Sequence, residues 1–437
     1  MPGVPKSLGC NTCRRQKKGC DLAKPACGRC TRLGIHCTGV GVKRFKFQTV
    51  DTPTPPPSNE STHVVAGWVH ILGIHDIRYD VRTFGGTYLQ ELPRRMGSSR
   101  AMDASISALV ASYNAVHLKT SKVEALARYG DALASLRRGL HDSQPIASKI
   151  YTIYNIYVCQ EWVDRKQKHM EKHREMLAML LREAVYQNKL SEIPPSYIYG
   201  LCQFIVYESM MNARVKLEGW FWEAIRTAAP LRPQQFREGA FTSTDTMTHA
   251  EMSVYLREPK RYLYQLQRIY SRLQLEKPML QRSLRQLAGD PSLATATIYN
   301  RYQLGYAVLL AVGSVLNRVL RVFAPPSELV IESHDFTDEA ILLARQCTIH
   351  RPFGTAFVPE FFKAVWATSY DRHRCDELET LILEYQQDFP GTDYMAEARW
   401  AMDNFDTMEM SQTVVIPSEA DEHSMEKLAA NGGCTIL

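Results

Sequence analysis

Long hydrophobic runs are missing from this chain of 437 residues. The most apolar stretch, Tyr306 to Leu316, is interrupted by Asn317 and Arg318, well short of the ~20 residues a membrane-spanning helix needs. No stable membrane association is therefore expected. The start of the chain, Pro2 to Gly9, is short and polar and has no apolar secretory segment. An intracellular, reducing setting follows as an expectation. Catalytic signatures are missing too: there is no H-E-x-x-H, no P-loop, no G-x-S-x-G and no G-x-G-x-x-G. No catalytic residue, no bound organic cofactor and no enzymatic activity are expected.

Acidic residues are almost absent from one end. Residues 1–47 hold eleven Lys and Arg against a single acid, Asp21, a local charge of +10, while the rest of the chain carries −4. The overall +6 hides a basic head on a mildly acidic body, the asymmetry of a nucleic-acid-binding arm. Hydrophobic residues make up 45% and charged residues 22%, enough apolar material for a substantial core.

The same head holds six of the eleven cysteines: Cys10, Cys13, Cys20, Cys27, Cys30 and Cys37. Their separations of 3 and 7 residues occur twice, which implies two equivalent half-sites. Clustered thiols in a reducing compartment serve as metal ligands more readily than as disulfides. Three thiolates cannot complete the four-ligand shell of zinc, and two ions need eight ligand positions. Six sulfurs suffice when two of them bridge, one from each half. His36 beside Cys37 breaks the repeat and reads as a surface histidine.

The run from Cys10 to Cys37, with basic residues after Cys13, Asp21 after the third cysteine and Lys24-Pro25 before the fourth, resembles the fungal zinc binuclear cluster (Zn2Cys6) transcription factors. The resemblance implies two Zn²⁺ per chain, with Cys10 and Cys27 as the bridging ligands. Residues Arg14 to Gly19 are expected to form a short helix, too short to persist without the metal. Modules of this kind place a helix in the major groove, where lysine donates to guanine O6 and N7. The family reads CGG-like triplets with lysine at the position of Lys17, supported by Lys18. Arg14 and Arg15 would meet phosphates. The family usually has a basic residue where Gln16 stands, and another where Gly19 stands. Gln16 can still bond a base edge or a phosphate.

Such factors often pair through a heptad coiled coil after the cluster. Residues 38–62 show no a/d repeat, and four prolines between Asp51 and Ser58 indicate an extended linker. Lys43, Arg44 and Lys46 alternate with Phe45 and Phe47 and could extend the phosphate footprint or serve nuclear import. Further on, helical periodicity dominates: Met102, Ile106, Leu109 and Tyr113, then Leu126 to Leu140, Ile150 to Val158 and Leu177 to Ala184, continuing to residue 404. The body is expected to be all-α. Tyr88 to Asp103 and Tyr129 to Leu133 resemble the helical regulatory region of smaller family members, which often govern secondary-metabolite gene clusters. His169 and His173 lie four apart in a charged run and read as a solvated face. Arg257 to Arg285 is basic and amphipathic.

Met402 to Glu426 holds seven acids and no Lys or Arg, a composition suited to coactivator binding. The final Cys434-Thr435-Ile436-Leu437 fits a prenylation pattern, which lacks an upstream basic cluster. The expected organisation is a DNA-binding head over 1–47, a Pro-rich linker over 48–66, an all-α regulatory domain over 67–402 and an acidic tail over 403–437. The expected role is a nuclear regulator that binds promoter DNA, with a second copy of the chain and coactivators as candidate partners. An adaptor or corepressor with a structural cluster is the alternative.

Overall fold

The computed structural model describes residues 9–37, 59–85, 87–139, 144–163, 170–212, 214–228, 241–288, 293–323 and 327–413. The proline stretch, Lys43 to Phe47, His169 and Cys434 lie outside them. Two compact units result, residues 1–58 and 59–437. Among the described residues there is no strand.

The head contains two five-residue helices, α1 (Asn11–Arg15) and α2 (Gly28–Arg32). The body opens with α3 (Glu60–Leu72), a short turn α4 (Arg82–Gly85) and a 3₁₀ stretch, Thr87–Arg95. It continues through α5 (Arg100–His117), α6 (Val123–Gly139), α7 (Ile146–Val163), α8 (Met170–Tyr186), α9 (Pro195–Met211) and α10 (Gly219–Ala228). After α11 (Thr246–Tyr255) come α12 (Leu263–Leu287), α13 (Leu293–Phe323), α14 (Ser327–Cys347), α15 (Phe357–Thr368), α16 (Arg372–Gln386) and α17 (Tyr394–Thr413).

Two boundaries differ from expectation. The body begins inside the stretch read as linker, because Asn59 accepts the Thr62 N–H at 2.8 Å and caps α3. The buried Trp68 then anchors that helix, its indole N–H bonded to the Leu89 carbonyl at 3.0 Å. At the other end the acidic segment does not start free at 403. Helix α17 runs on to Thr413, with Met402 and Phe405 packed on the core and Asp406 ion-paired to Arg318 at 2.6 Å.

Two apolar clusters fill the body. The first gathers α3 and α5 to α10 around Trp68, Met102, Tyr113, Tyr151 and Trp162, and takes in Phe353 and Phe389 from far along the chain. The second surrounds α13, packed by α12, α14, α15 and α17. Helix α13 is long and apolar enough to cross a bilayer by length and composition, yet 72% of its apolar window is buried inside the protein. Its Asn317 amide donates to the Leu329 carbonyl at 2.8 Å and to the Tyr270 hydroxyl at 3.0 Å. These are the marks of a core helix.

Between helices of the two clusters lies a linked set of charges, buried except for the part-exposed Glu360. Arg174 lies 3.1 Å from Glu208 and 3.2 Å from Glu397, and Lys363 lies 2.6 Å from Glu397 and 2.9 Å from Glu360. Removing one partner of such a set leaves an uncompensated charge, which costs about 3–5 kcal/mol. Nearby, Gly391 donates its N–H to the Glu161 carbonyl at 3.0 Å. A Cβ at that position would overlap the Gln160 and Glu161 carbonyls, so only glycine fits. His173 is buried beside Gln160 at 3.1 Å, not on a solvated face.

Candidate metal centre and nucleic-acid interface

The head is built twice. Cys10 precedes α1 and Cys27 precedes α2, each as an N-cap in extended conformation. The Cys10 sulfur accepts the Cys13 N–H at 3.4 Å, and the Cys27 sulfur accepts the Cys30 N–H at the same distance. Cys10 N–H points at the Cys20 sulfur at 3.4 Å, and Cys27 N–H at the Cys37 sulfur at 3.3 Å. Each of these features repeats after 17 residues.

Both helices stop the same way. Lys17 N–H bonds the Arg14 carbonyl and Lys18 N–H the Cys13 carbonyl; Gly34 and Ile35 repeat this on Thr31 and Cys30. Such a paired closure needs its first residue in the left-handed region. Gly34 has φ +63° and Lys17 has φ +51°. The helix expected over Arg14 to Gly19 is thus corrected: it spans Asn11–Arg15, with Lys17 and Lys18 just past its end. A residue with φ above zero cannot continue a right-handed helix.

Four sulfurs converge in each of two groups. Cys10, Cys13, Cys20 and Cys27 form one, and Cys10, Cys27, Cys30 and Cys37 the other, with all sulfurs of a group within 4.8 Å. Cys10 and Cys27 belong to both. Cys10 lies 3.7 Å from Cys27 and from Cys30, and Cys13 lies 3.7 Å from Cys27. A tetrahedron of zinc–sulfur bonds about 2.3 Å long has edges of about 3.8 Å, so the spacing suits zinc. Soft donors, fourfold number and edge length all fit two zinc ions with two bridging sulfurs. His36 is exposed and outside both groups.

Crowding shifts these thiols in opposite directions. The Cys13 N–H lowers the Cys10 thiol, but burial and the Cys13 and Cys30 thiols outweigh it, and it is pushed up to about 12. The Cys27 thiol is likewise raised, the Cys30 N–H being outweighed by burial and neighbouring thiols. The Cys20 thiol is lowered by N–H groups of Cys10 and Leu22. Thiolates so crowded repel one another unless a metal holds them.

Two ties that the spacing does not reveal join the halves. Asp21 accepts the Gly28 N–H through both carboxylate oxygens, at 2.9 and 3.1 Å. Thr12 donates its hydroxyl to the His36 carbonyl at 3.1 Å. A Cβ on Gly28 would sit 2.5 Å from Asp21 Oδ2, so glycine is what lets the carboxylate reach. The 17-residue offset was the available signal for the strained position, because it aligns Lys17 with a glycine.

Arg14, Arg15, Gln16, Lys17 and Lys18 are all exposed. None of the four cations carries an ion pair among the described residues. Four unpaired positive charges within five residues make a compact anion-facing edge, held in place by the ligand cysteines on either side.

No curated protein and no solved structure matches the chain. Residues 8–45 match the family described as the fungal Zn(2)-Cys(6) binuclear cluster domain, so the head is a two-zinc, DNA-binding cluster of the kind that transcription regulators carry.

Proposed function

We propose that the protein is a nuclear regulator of transcription that reads CGG-like triplets in promoter DNA and controls a fungal secondary-metabolic gene cluster. Lys17 and Lys18 donate to guanine edges in the major groove, Arg14 and Arg15 hold phosphates, and Gln16 adds a base-edge or phosphate bond. Zinc supplies the fold of the head and takes no part in chemistry. The observation that carries this reading is the exposed, unpaired pair Lys17-Lys18, fixed beyond the end of α1 by backbone bonds to Arg14 and Cys13. The all-α body is the regulatory and partner-binding region, and the acidic segment after residue 403 recruits coactivators.

Selection from random duplex with the full chain tests it. Enrichment of CGG-like triplets is expected, one per site for a monomer and two at fixed spacing for a homodimer. Equal binding to all duplexes at physiological salt refutes the triplet reading. If Lys17→Ala leaves promoter occupancy unchanged, the adaptor reading replaces it, with the cluster as a structural element.

A further inference from the structure

Helix α12 carries one acid, Glu276, and that acid is buried, accepting bonds from the N–H groups and hydroxyls of Thr242 and Ser243. The solvent side of the helix has none. Tyr264, Arg268, Arg272, Leu275, Met279 and Arg282 fall on one face at helical spacing, and all are exposed. Leu275 is 73% exposed, Tyr264 68% and Met279 46%, a large apolar content for a surface helix. Arg268, Arg272 and Arg282 have no acidic partner among the described residues. A face that alternates arginine with apolar side chains suits a peptide of acidic and apolar residues better than duplex DNA, whose backbone offers only charge.

The chain supplies such a peptide. Residues 414–437 contain Glu419, Asp421, Glu422 and Glu426 against one Lys, with Val414, Val415, Ile416, Met425 and Leu428 among them. It leaves from a helix that shares the neighbour α13 with α12. Asp406 pairs with Arg318, and the adjacent Asn317 bonds Tyr270 of α12. The 24 residues beyond Thr413 can span up to about 80 Å, and α12 is only about 37 Å long.

We propose that the acidic C-terminal segment docks in cis on the exposed face of α12, with its carboxylates on Arg268, Arg272 and Arg282 and its apolar residues on Leu275 and Met279. A regulator built this way conceals its own acidic segment until a partner displaces it. A short tether gives an effective concentration of about 1 mM, so a contact as weak as ~100 µM is about nine-tenths occupied.

Hydrogen exchange of the full chain, followed by mass spectrometry at low salt, reads this directly. At that occupancy amides of residues 414–428 should exchange roughly tenfold slower than an unstructured peptide. Protection should vanish in the variant Glu419→Gln, Asp421→Asn, Glu422→Gln, Glu426→Gln, which leaves the body untouched. It should also vanish in Arg268→Gln, Arg272→Gln, Arg282→Gln, whose sites are exposed. Unprotected tail amides in the unaltered chain overturn the proposal. So does protection that survives the arginine changes, because the segment then docks elsewhere. Protection that rises with protein concentration overturns it in favour of a second copy. Protection of α12 that appears only with duplex DNA overturns it in favour of a nucleic-acid face.

Discussion

Replacing Lys17 with glycine should strengthen the head and disable it at once. Lys17 sits at φ +51°, where a residue with a Cβ pays about 1–2 kcal/mol. Gly34, at the matching place in the second half, has φ +63° and pays nothing comparable. Glycine returns about 0.5–1 kcal/mol of that gain through the greater freedom of its unfolded chain. The net is roughly 0.5–1 kcal/mol in favour of the folded head. Folding and metal binding are one equilibrium in such a domain, so zinc should bind about two- to fivefold more tightly. Losing one base contact should meanwhile cost about 1–3 kcal/mol, or roughly 5- to 150-fold in specific DNA affinity. Lys17→Ala is the control: it loses the same contact but keeps the Cβ and its strain. Competition against a zinc chelator and anisotropy with a CGG duplex measure the two quantities on each variant. Equal zinc affinity for the glycine and alanine variants would refute the strain argument. Unaltered specific binding by either would refute the base-reading role.

Three further outcomes follow from the geometry. Gly28→Ala should weaken zinc binding roughly 10- to 150-fold in the same chelator assay, because its Cβ would displace Asp21 from a forked, charge-assisted bond worth about 1.5–3 kcal/mol. Gly391→Ala should destabilise the body by about 2–3 kcal/mol in urea unfolding, since the clash is with fixed carbonyls of α7. Glu161 is held up at about 8, by burial first, with the Tyr157 hydroxyl opposing and Glu360 adding to it. Its folded pKa exceeds its unfolded one, so its contribution is full below about 4.5 and is lost as pH rises to about 8. Glu161→Gln should therefore raise the melting temperature more at pH 8 than at pH 5, and an equal gain at both would contradict that account.

Much of the head was legible because metal chemistry counts its ligands. Six cysteines in a doubled spacing demanded two shared sulfurs, and Cys10 and Cys27 occupy both four-sulfur groups. The end of α1 was not legible from the basic run alone, because charge carries no record of φ. Backbone bonds from Lys17 and Lys18 decide it, and the clue lay 17 residues away in Gly34. Periodicity gave the helical body, since apolar spacing is what each helix buries. It missed the start at Asn59, where one capping amide outweighs the nearby prolines. It also missed the reach of α17, where Asp406 pairs with the distant Arg318. Contacts between residues far apart in sequence leave no local trace.

Sharing Cys10 and Cys27 between the two sulfur groups has a consequence for how the head fails. Neither metal site is complete in the absence of those two residues. The six cysteines are consequently unequal as targets for damage. Oxidising Cys13 or Cys20 breaks one shell, as does oxidising Cys30 or Cys37. Oxidising either shared sulfur removes a vertex from both tetrahedra at once, which makes these two atoms the keystones of the head.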